Sequence, residues 1–246
     1  MLLYYITDRH QFPGCEGDRR RMLLKTISEA ARYGVDYIQL REKDLSAREL
    51  LRLAEEARKI IAEVAGSALA AHNWQRGTRL LINSRIDIAL AAGADGVHLR
   101  SDDIPAAEAR IVWSKASAGR NSQLATHNFL IACSCHTVED VRRAETDGAD
   151  FSVFAPVFEK GGQPGVGLGA LRAACCGAPQ ANTPGASPAV RIPVLALGGV
   201  TLENARACIA AGAAGIAAIR LFQENDVEEV VARLRNINRS DQPGEL

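Results

Sequence analysis

The sequence predicts one α/β domain folded as a (β/α)8 TIM barrel, and three observations carry that expectation. First, a phrase of small residues, glycine and an apolar run occurs four times: ARYGVDYIQL, ALAAGADGVHL, AETDGADFSVF and AAGAAGIAAI, with glycines at 34, 93, 148 and 212. Glycine just past a helix is the usual left-handed cap, and the run after it reads as a buried strand. Second, apolar segments alternate with these copies: LLYYIT at the start, RLLIN at 79–83, FLIACS at 129–134 and IPVLAL at 192–197. Third, the eight strand–helix units that result fill 246 residues, close to the ~250 typical of such a barrel. A doubly wound sheet gives no reason for a fourfold even repeat, and no G-x-G-x-x-G follows the first strand.

Composition narrows the functional classes. The chain is 47% hydrophobic and 24% charged, with 29 basic residues against 29 acidic ones. That balance gives no support to nucleic acid or an anionic membrane as partner, so any basic cluster is local and suited to a small anion. No segment approaches the ~20 apolar residues of a membrane span. MLLYYITDRH has too short an apolar run for a signal peptide and reads as a first strand. Six cysteines, arranged as one C-x-C, one C-C and two singles, suit neither a disulfide scaffold nor a paired zinc site. The expectation is a cytoplasmic protein with reduced thiols, and assembly into a homo-oligomer stays open.

Along the chain, each strand is expected to alternate between the barrel interior and the helix layer. Strand two, Tyr37 to Lys43, then turns Ile38 and Leu40 to the helices and raises Gln39, Arg41 and Lys43 up the inner face. An amide and two cations there are costly without an anion, preferably a phosphate or diphosphate. An internal ion pair with Asp8, Asp103 or Glu42 is the plainer alternative. The helix after it, SARELLRLAEEARKIIAEVA, has helical apolar spacing. Strand three brings Asn83 to the rim. Strand four ends in HLRSDD, placing Asp102 and Asp103 above His98. An acidic pair ahead of Pro105 serves either as helix N-terminal charge or as a source of one Mg2+ ligand.

On strand five Ser134 and His136 are expected inward, and Cys133 and Cys135 outward as small core hydrophobes. His136 could shuttle a proton or cap the following helix. After strand six comes the glycine-rich segment 159–167, at the end where barrel active sites are built. The Pro-, Ala- and Gly-rich segment 177–191 reads as a surface excursion on the opposite rim, and 236–246 as a tail. Gly198 and Gly199 follow strand seven and Ile219 and Arg220 follow strand eight, the two loops from which barrels commonly bind phosphate through backbone N–H groups.

QLREK at 39–43, LINSRIDIALAAGADGVHLRSDDIP at 81–105, SCHT at 134–137 and LALGGVT with AGAAGIAAIR together resemble the thiamine-phosphate synthase and TenI family, from Tyr4 to about Phe222. The resemblance implies a transferase that joins a hydroxymethylpyrimidine diphosphate to a thiazole phosphate and releases diphosphate. It implies Gln39, Arg41, Lys43 and Asn83 on the pyrimidine diphosphate, Asp103 on Mg2+, and Ser134 beside the pyrimidine. Gly199, Ile219 and Arg220, with Gly198, would cradle the thiazole phosphate.

Three positions depart from the synthase pattern. Ser84 stands where a second metal-binding Asp is expected. Ala155 replaces the glycine before Pro156. The loop reads Glu159-Lys160-Gly161-Gly162-Gln163, with Lys160 as its phosphate-reaching residue. Two alternatives follow: a TenI-like thiazole tautomerase in which His136 moves a proton, and a non-catalytic binder of thiazole or thiamine phosphate acting as a regulator.

Overall fold

The computed structural model describes residues 1–70, 77–118, 129–159, 161–162, 164–176 and 192–237. Eight parallel strands close into the expected barrel in chain order: β1 (Leu2–Ile6), β2 (Tyr37–Leu40), β3 (Arg79–Asn83), β4 (Gly96–Leu99), β5 (Leu130–Cys135), β6 (Phe151–Phe154), β7 (Val194–Ala196) and β8 (Gly215–Ala218). Around them lie α1 (Glu16–Arg32), α2 (Ala47–Ala70), α3 (Ile86–Ala92), α4 (Ala106–Ala118), α5 (Val138–Thr146), α6 (Gly167–Cys176), α7 (Ala205–Ala210), α8 (Arg220–Gln223) and α9 (Val227–Ile237). β5 starts one residue later than the sequence suggested and β7 is shorter at both ends; the alternation is unaffected.

Strand alternation builds two cores. Tyr4, Ile6, Leu81, Ala132, Phe151, Val153, Leu195 and Ala217 pack together inside the barrel. Their neighbours in sequence, such as Leu3, Tyr5, Leu80, Ile82 and Ile216, pack against the helices. Near the barrel floor the Tyr37 and Phe151 rings stack at 4.8 Å, and Tyr4 meets Phe151 edge-on at 5.5 Å. Each such side chain contributes about 1.5–3 kcal/mol by leaving water, which makes the floor rigid and leaves the upper interior to polar groups.

All four repeat glycines have positive φ, between 64° and 104°, as a cap free of a Cβ allows. The repeat also contains an acidic device. Asp36, Asp95 and Asp150 each follow a repeat glycine by two residues and accept the backbone N–H of Leu3, Leu80 and Ile131 at 2.7, 2.8 and 2.7 Å. Each carboxylate thus fastens the N-terminal end of its own strand to the preceding one. The fourth copy has Ala214 at this place, where backbone bonds to β7 and β1 serve instead.

α9 extends through Ile237, with Val230, Val231, Leu234 and Ile237 buried. Arg235 ties it to Gly34 O at 2.7 Å and Asp36 Oδ2 at 2.8 Å. The expected tail at 236 is therefore corrected: its first two residues are helix, because their turn completes an apolar face. Residues 238–246 and the segment 177–191 lie outside the described residues. None of the described helices is long and apolar enough to cross a membrane.

Candidate active site

The described candidate residues converge on the C-terminal end of the barrel, supplied by the rim segments of β2, β3, β4, β5, β7 and β8. Gln39, on β2, is buried and donates from Nε2 to Asn83 Oδ1 at 2.9 Å. Asn83 Nδ2 lies 3.2 Å from Ser84 Oγ, and that hydroxyl donates to Asp103 Oδ2 at 2.6 Å. A one-way line of donors therefore runs from β2 to the tip of β4. Gln39 Oε1 is buried without a hydrogen-bond partner, a costly state unless a ligand supplies a donor.

Arg41 and Lys43 lie past the end of β2, which stops at Leu40, so the expectation that they continue up its inner face is corrected. They belong to the loop instead: Arg41 is half-buried and Lys43 exposed. The plainer alternative of an ion pair also fails, since neither makes one with a described residue, and Glu42 turns away to Arg9 at 3.1 Å. Arg41 beside it, together with burial and Arg100, holds the Lys43 ammonium below its ordinary pKa. Unpaired cations that repel one another mark a place built for an anion.

The two aspartates after β4 have separate roles. Asp102 forms a two-pronged pair with Arg100, which leaves it exposed at the surface. Asp103 accepts both Ser84 Oγ and the Arg100 N–H, at 2.6 and 2.7 Å, through the same oxygen, Oδ2. Among the described residues Oδ1 accepts no hydrogen bond. One free carboxylate oxygen beside an anion site fits Mg2+, which takes one or two carboxylates and completes its shell with phosphate oxygens and water. No cluster of three or more acidic, His or Cys ligands exists among the described residues. The residues present thus suit a substrate-completed site. Ser84 brings no second carboxylate, only a neutral hydroxyl whose hydrogen is directed at Asp103.

Below the rim lies a group that the sequence analysis used only as a landmark. His98 is 2% exposed, with Nδ1 2.9 Å from Tyr4 Oη and Nε2 2.8 Å from Ser134 Oγ. Burial, with Arg41 nearby, pushes its pKa down to about 3, so the ring is neutral. The tautomer follows from counting hydrogens. If Nδ1 carried the proton, the buried Tyr4 hydroxyl would need another acceptor, and His98 is its recorded partner. With the proton on Nε2, Tyr4 donates to Nδ1, His98 donates to Ser134, and the Ser134 O–H remains free to donate into the site. Strand parity was the available signal, because His98 is inward where Val97 and Leu99 face the helices.

Ser134 is therefore inward as expected, and Cys135 and Cys133 pack toward the helix layer. Burial pushes both thiols up to about 12, so neither is a nucleophile. His136 is exposed above them, and its Nδ1 lies 2.7 Å from the Ala155 carbonyl oxygen. Nδ1 must donate there, so that in the neutral ring Nε2 carries the lone pair. The helix cap is Thr137, whose hydroxyl accepts from Asp140 N at 3.1 Å.

Across the mouth, a cavity of about 730 Å3 opens between the β7 and β8 rims, lined by Gly198, Gly199, Ile219 and Arg220. Gly199 has φ 63°, and a Cβ there would meet Glu159 O at 2.6 Å. Only glycine permits that approach. Ile219 is the N-cap of α8 and Arg220 its first residue; first-turn N–H groups have no acceptor inside the helix. Lys160 lies outside the described residues. Its neighbours Glu159 and Gly161 line the same cavity.

Known proteins resemble this chain over most of its length. Residues 3–222 match the thiamine monophosphate synthase family. A thiamine-phosphate synthase of Methanospirillum hungatei is 36% identical over 221 residues, 88% of this chain and 87% of the relative. That of Chlorobium luteolum is 39% identical over 210 residues, 85% of this chain and 84% of the relative. Among solved structures, a thiamine phosphate pyrophosphorylase from Pyrococcus furiosus superposes with a TM-score of 0.71 at 28% identity, covering 97% of this chain and 96% of that one. The chain belongs to the thiamine monophosphate synthase family.

Proposed function

We propose that this chain is a thiamine-phosphate synthase, joining a hydroxymethylpyrimidine diphosphate to a thiazole phosphate. The observation that carries the reading is the pair of cations Arg41 and Lys43, which make no ion pair with a described residue and stand within electrostatic reach of each other and of Asp102, at the same end of the barrel as the glycine-lined cavity. One end of the mouth suits a diphosphate and the other a phosphate monoester, which is what a condensation of two phosphorylated rings requires.

In this reading Arg41 and Lys43 hold the diphosphate and balance the charge it gains as it leaves. Asp103 would hold Mg2+, which when bound supplies further neutralisation of the departing diphosphate. The bond from the pyrimidine methylene carbon to diphosphate oxygen breaks with its electron pair on oxygen. The thiazole nitrogen lone pair then forms the new bond to that carbon. Gln39 Oε1 and the Ser134 O–H face the pyrimidine with one acceptor and one donor, and Asn83 orients Gln39. Gly198, Gly199, Ile219 and Arg220 take the thiazole phosphate by backbone N–H groups. All six cysteines are free thiols, which supports a reducing compartment, the cytoplasm.

The test is direct: incubate the protein with pyrimidine diphosphate, thiazole phosphate and Mg2+, and follow thiamine phosphate and diphosphate by mass spectrometry. Formation of both supports the reading, and their absence refutes it. The tautomerase reading rests on one observation, the free Nε2 of His136. Isomerisation of a thiazole phosphate precursor without thiamine phosphate formation would favour it.

A further inference from the structure

Arg41 and Lys43 stand on a loop, and something must aim them. The chain from 41 to 44 alternates in its attachments. Glu42, 4% exposed, accepts from Thr7 Oγ1 at 2.6 Å and from Arg9 Nη1 at 3.1 Å, and Arg9 N donates to both its oxygens at 3.1 and 3.3 Å. Asp44 accepts from Arg9 Nη1 at 2.6 Å and also from Nη2. Arg9, 3% exposed, is itself fixed through Nε to Glu16 Oε1 at 2.6 Å. Thr7 completes the fastening, since its Oγ1 accepts the Arg41 N–H at 2.9 Å.

One guanidinium after β1 therefore grips residues 42 and 44, and leaves 41 and 43 to the opposite side. Electrostatic contacts agree with that direction: Lys43 senses Arg100 and Asp102 after β4 and Asp8 after β1, and His98 inside the barrel senses Arg41, so both cations lie over the mouth. A guanidinium suits this grip because its planar fork serves two carboxylates at once, which an ammonium does not.

We propose that Thr7, Arg9 and Glu42 form a clamp that positions Arg41 and Lys43 for a diphosphate group, so that these buried residues set affinity for the diphosphate substrate without touching it. The inference rests on the synthase reading above. A clamp of this kind prepays the ordering of two long side chains that a diphosphate would otherwise impose on binding.

The experiment compares wild type with Glu42→Gln, Thr7→Val and Thr7→Ser in the full chain. The probe is inorganic diphosphate with Mg2+, measured by calorimetry, alongside KM for each substrate. Glu42→Gln and Thr7→Val are expected to weaken diphosphate binding about tenfold or more and to raise KM for the pyrimidine diphosphate in step. KM for the thiazole phosphate stays near wild type, and Thr7→Ser, which keeps the hydroxyl, restores diphosphate affinity. Should Glu42→Gln fail to fold, the Thr7 pair decides alone. Wild-type diphosphate affinity in Thr7→Val, or equal losses for both substrates, overturns the clamp as a positioning device. A wild-type protein that makes thiamine phosphate while its clamp variants bind diphosphate normally refutes only the clamp. One that neither binds diphosphate nor makes product refutes the synthase reading and this inference with it.

Discussion

Ser84 Oγ donates to Asp103 Oδ2 at 2.6 Å across the tips of β3 and β4, with Ser84 held at φ 58°. That hydroxyl, with the Arg100 N–H, holds one oxygen of the Asp103 carboxylate. Ser84 and Asp103 thus form a hydrogen-bonded, singly charged pair at the rim.

Ser84→Asp tests what this pair does. Asp tolerates a left-handed φ at least as well as Ser, so the backbone is not the obstacle. Two carboxylates would face each other at hydrogen-bond distance, and one pKa unit of mutual repulsion corresponds to about 1.4 kcal/mol. Without metal the variant is expected to lose about 1–2 kcal/mol at neutral pH. Mg2+ should raise its Tm more than it raises that of wild type. Thermal melts with and without Mg2+ check this, and equal Mg2+ responses would place residue 84 outside any metal shell.

His98 gives a pH prediction whose sign is fixed by its burial. Its folded pKa is about 3 against an ordinary value of about 6.5. The unfolded chain therefore binds a proton through this window while the folded one does not, so stability rises with pH and is fully present above about 6.5. Between the two values His98 makes stability fall by about 1.4 kcal/mol per unit as pH drops, or about 2 kcal/mol at pH 5. Urea unfolding of wild type and His98→Gln at pH 7 and pH 5 measures it: the wild type should lose that much more than the variant on acidification.

Gly199→Ala addresses the other end of the mouth. A methyl group at φ 63° would stand 2.6 Å from Glu159 O, which is backbone and cannot swing aside. The loop after β7 must then shift, removing its N–H groups from the phosphate position. KM for the thiazole phosphate is expected to rise about tenfold or more, the worth of one or two hydrogen bonds to a charged group. KM for the pyrimidine diphosphate should be unchanged, and steady-state kinetics with each substrate varied separates the two.

The barrel was legible because its evidence is periodic. Four glycine caps and two sets of strands fix eight units, and parity alone turned Gln39 and Ser134 inward and Cys135 outward. Side chains beyond the strand ends were not legible that way. Parity stops at Leu40, so the aim of Arg41 and Lys43 depends on Glu42 and on Arg9, which is 33 residues away in sequence. His98 was placed on β4, but its role needed Tyr4 and Ser134 beside it, partners separated from it by 94 and 36 residues. The α9 boundary was missed because Ile237 is buried only by tertiary packing, which local polarity does not reveal.

His136 and Asp103 separate the two activities open to this family fold. With Nδ1–H engaged by Ala155 O, His136 offers Nε2 as an acceptor at the rim. In a tautomerase that nitrogen moves a proton, and His136→Gln should cost about 10²–10⁴-fold, the usual contribution of a general acid–base group. In the synthase the thiazole nitrogen attacks with a free lone pair and no proton transfer accompanies bond formation, so the same change should cost only a few-fold through positioning. Asp103→Ala has the opposite ranking. It removes the carboxylate that would hold Mg2+, a contribution of several kcal/mol to the departing diphosphate, and should lower synthase kcat by about 10³-fold. It should leave isomerisation nearly intact. In the proposed reading Gln39, Arg41, Lys43 and Asp103 serve a diphosphate, for which isomerisation of a thiazole phosphate has no use, so the expected pattern is a severe Asp103 variant and a mild His136 one. A His136→Gln protein dead for isomerisation, from a wild type that forms no thiamine phosphate, would reverse that assignment.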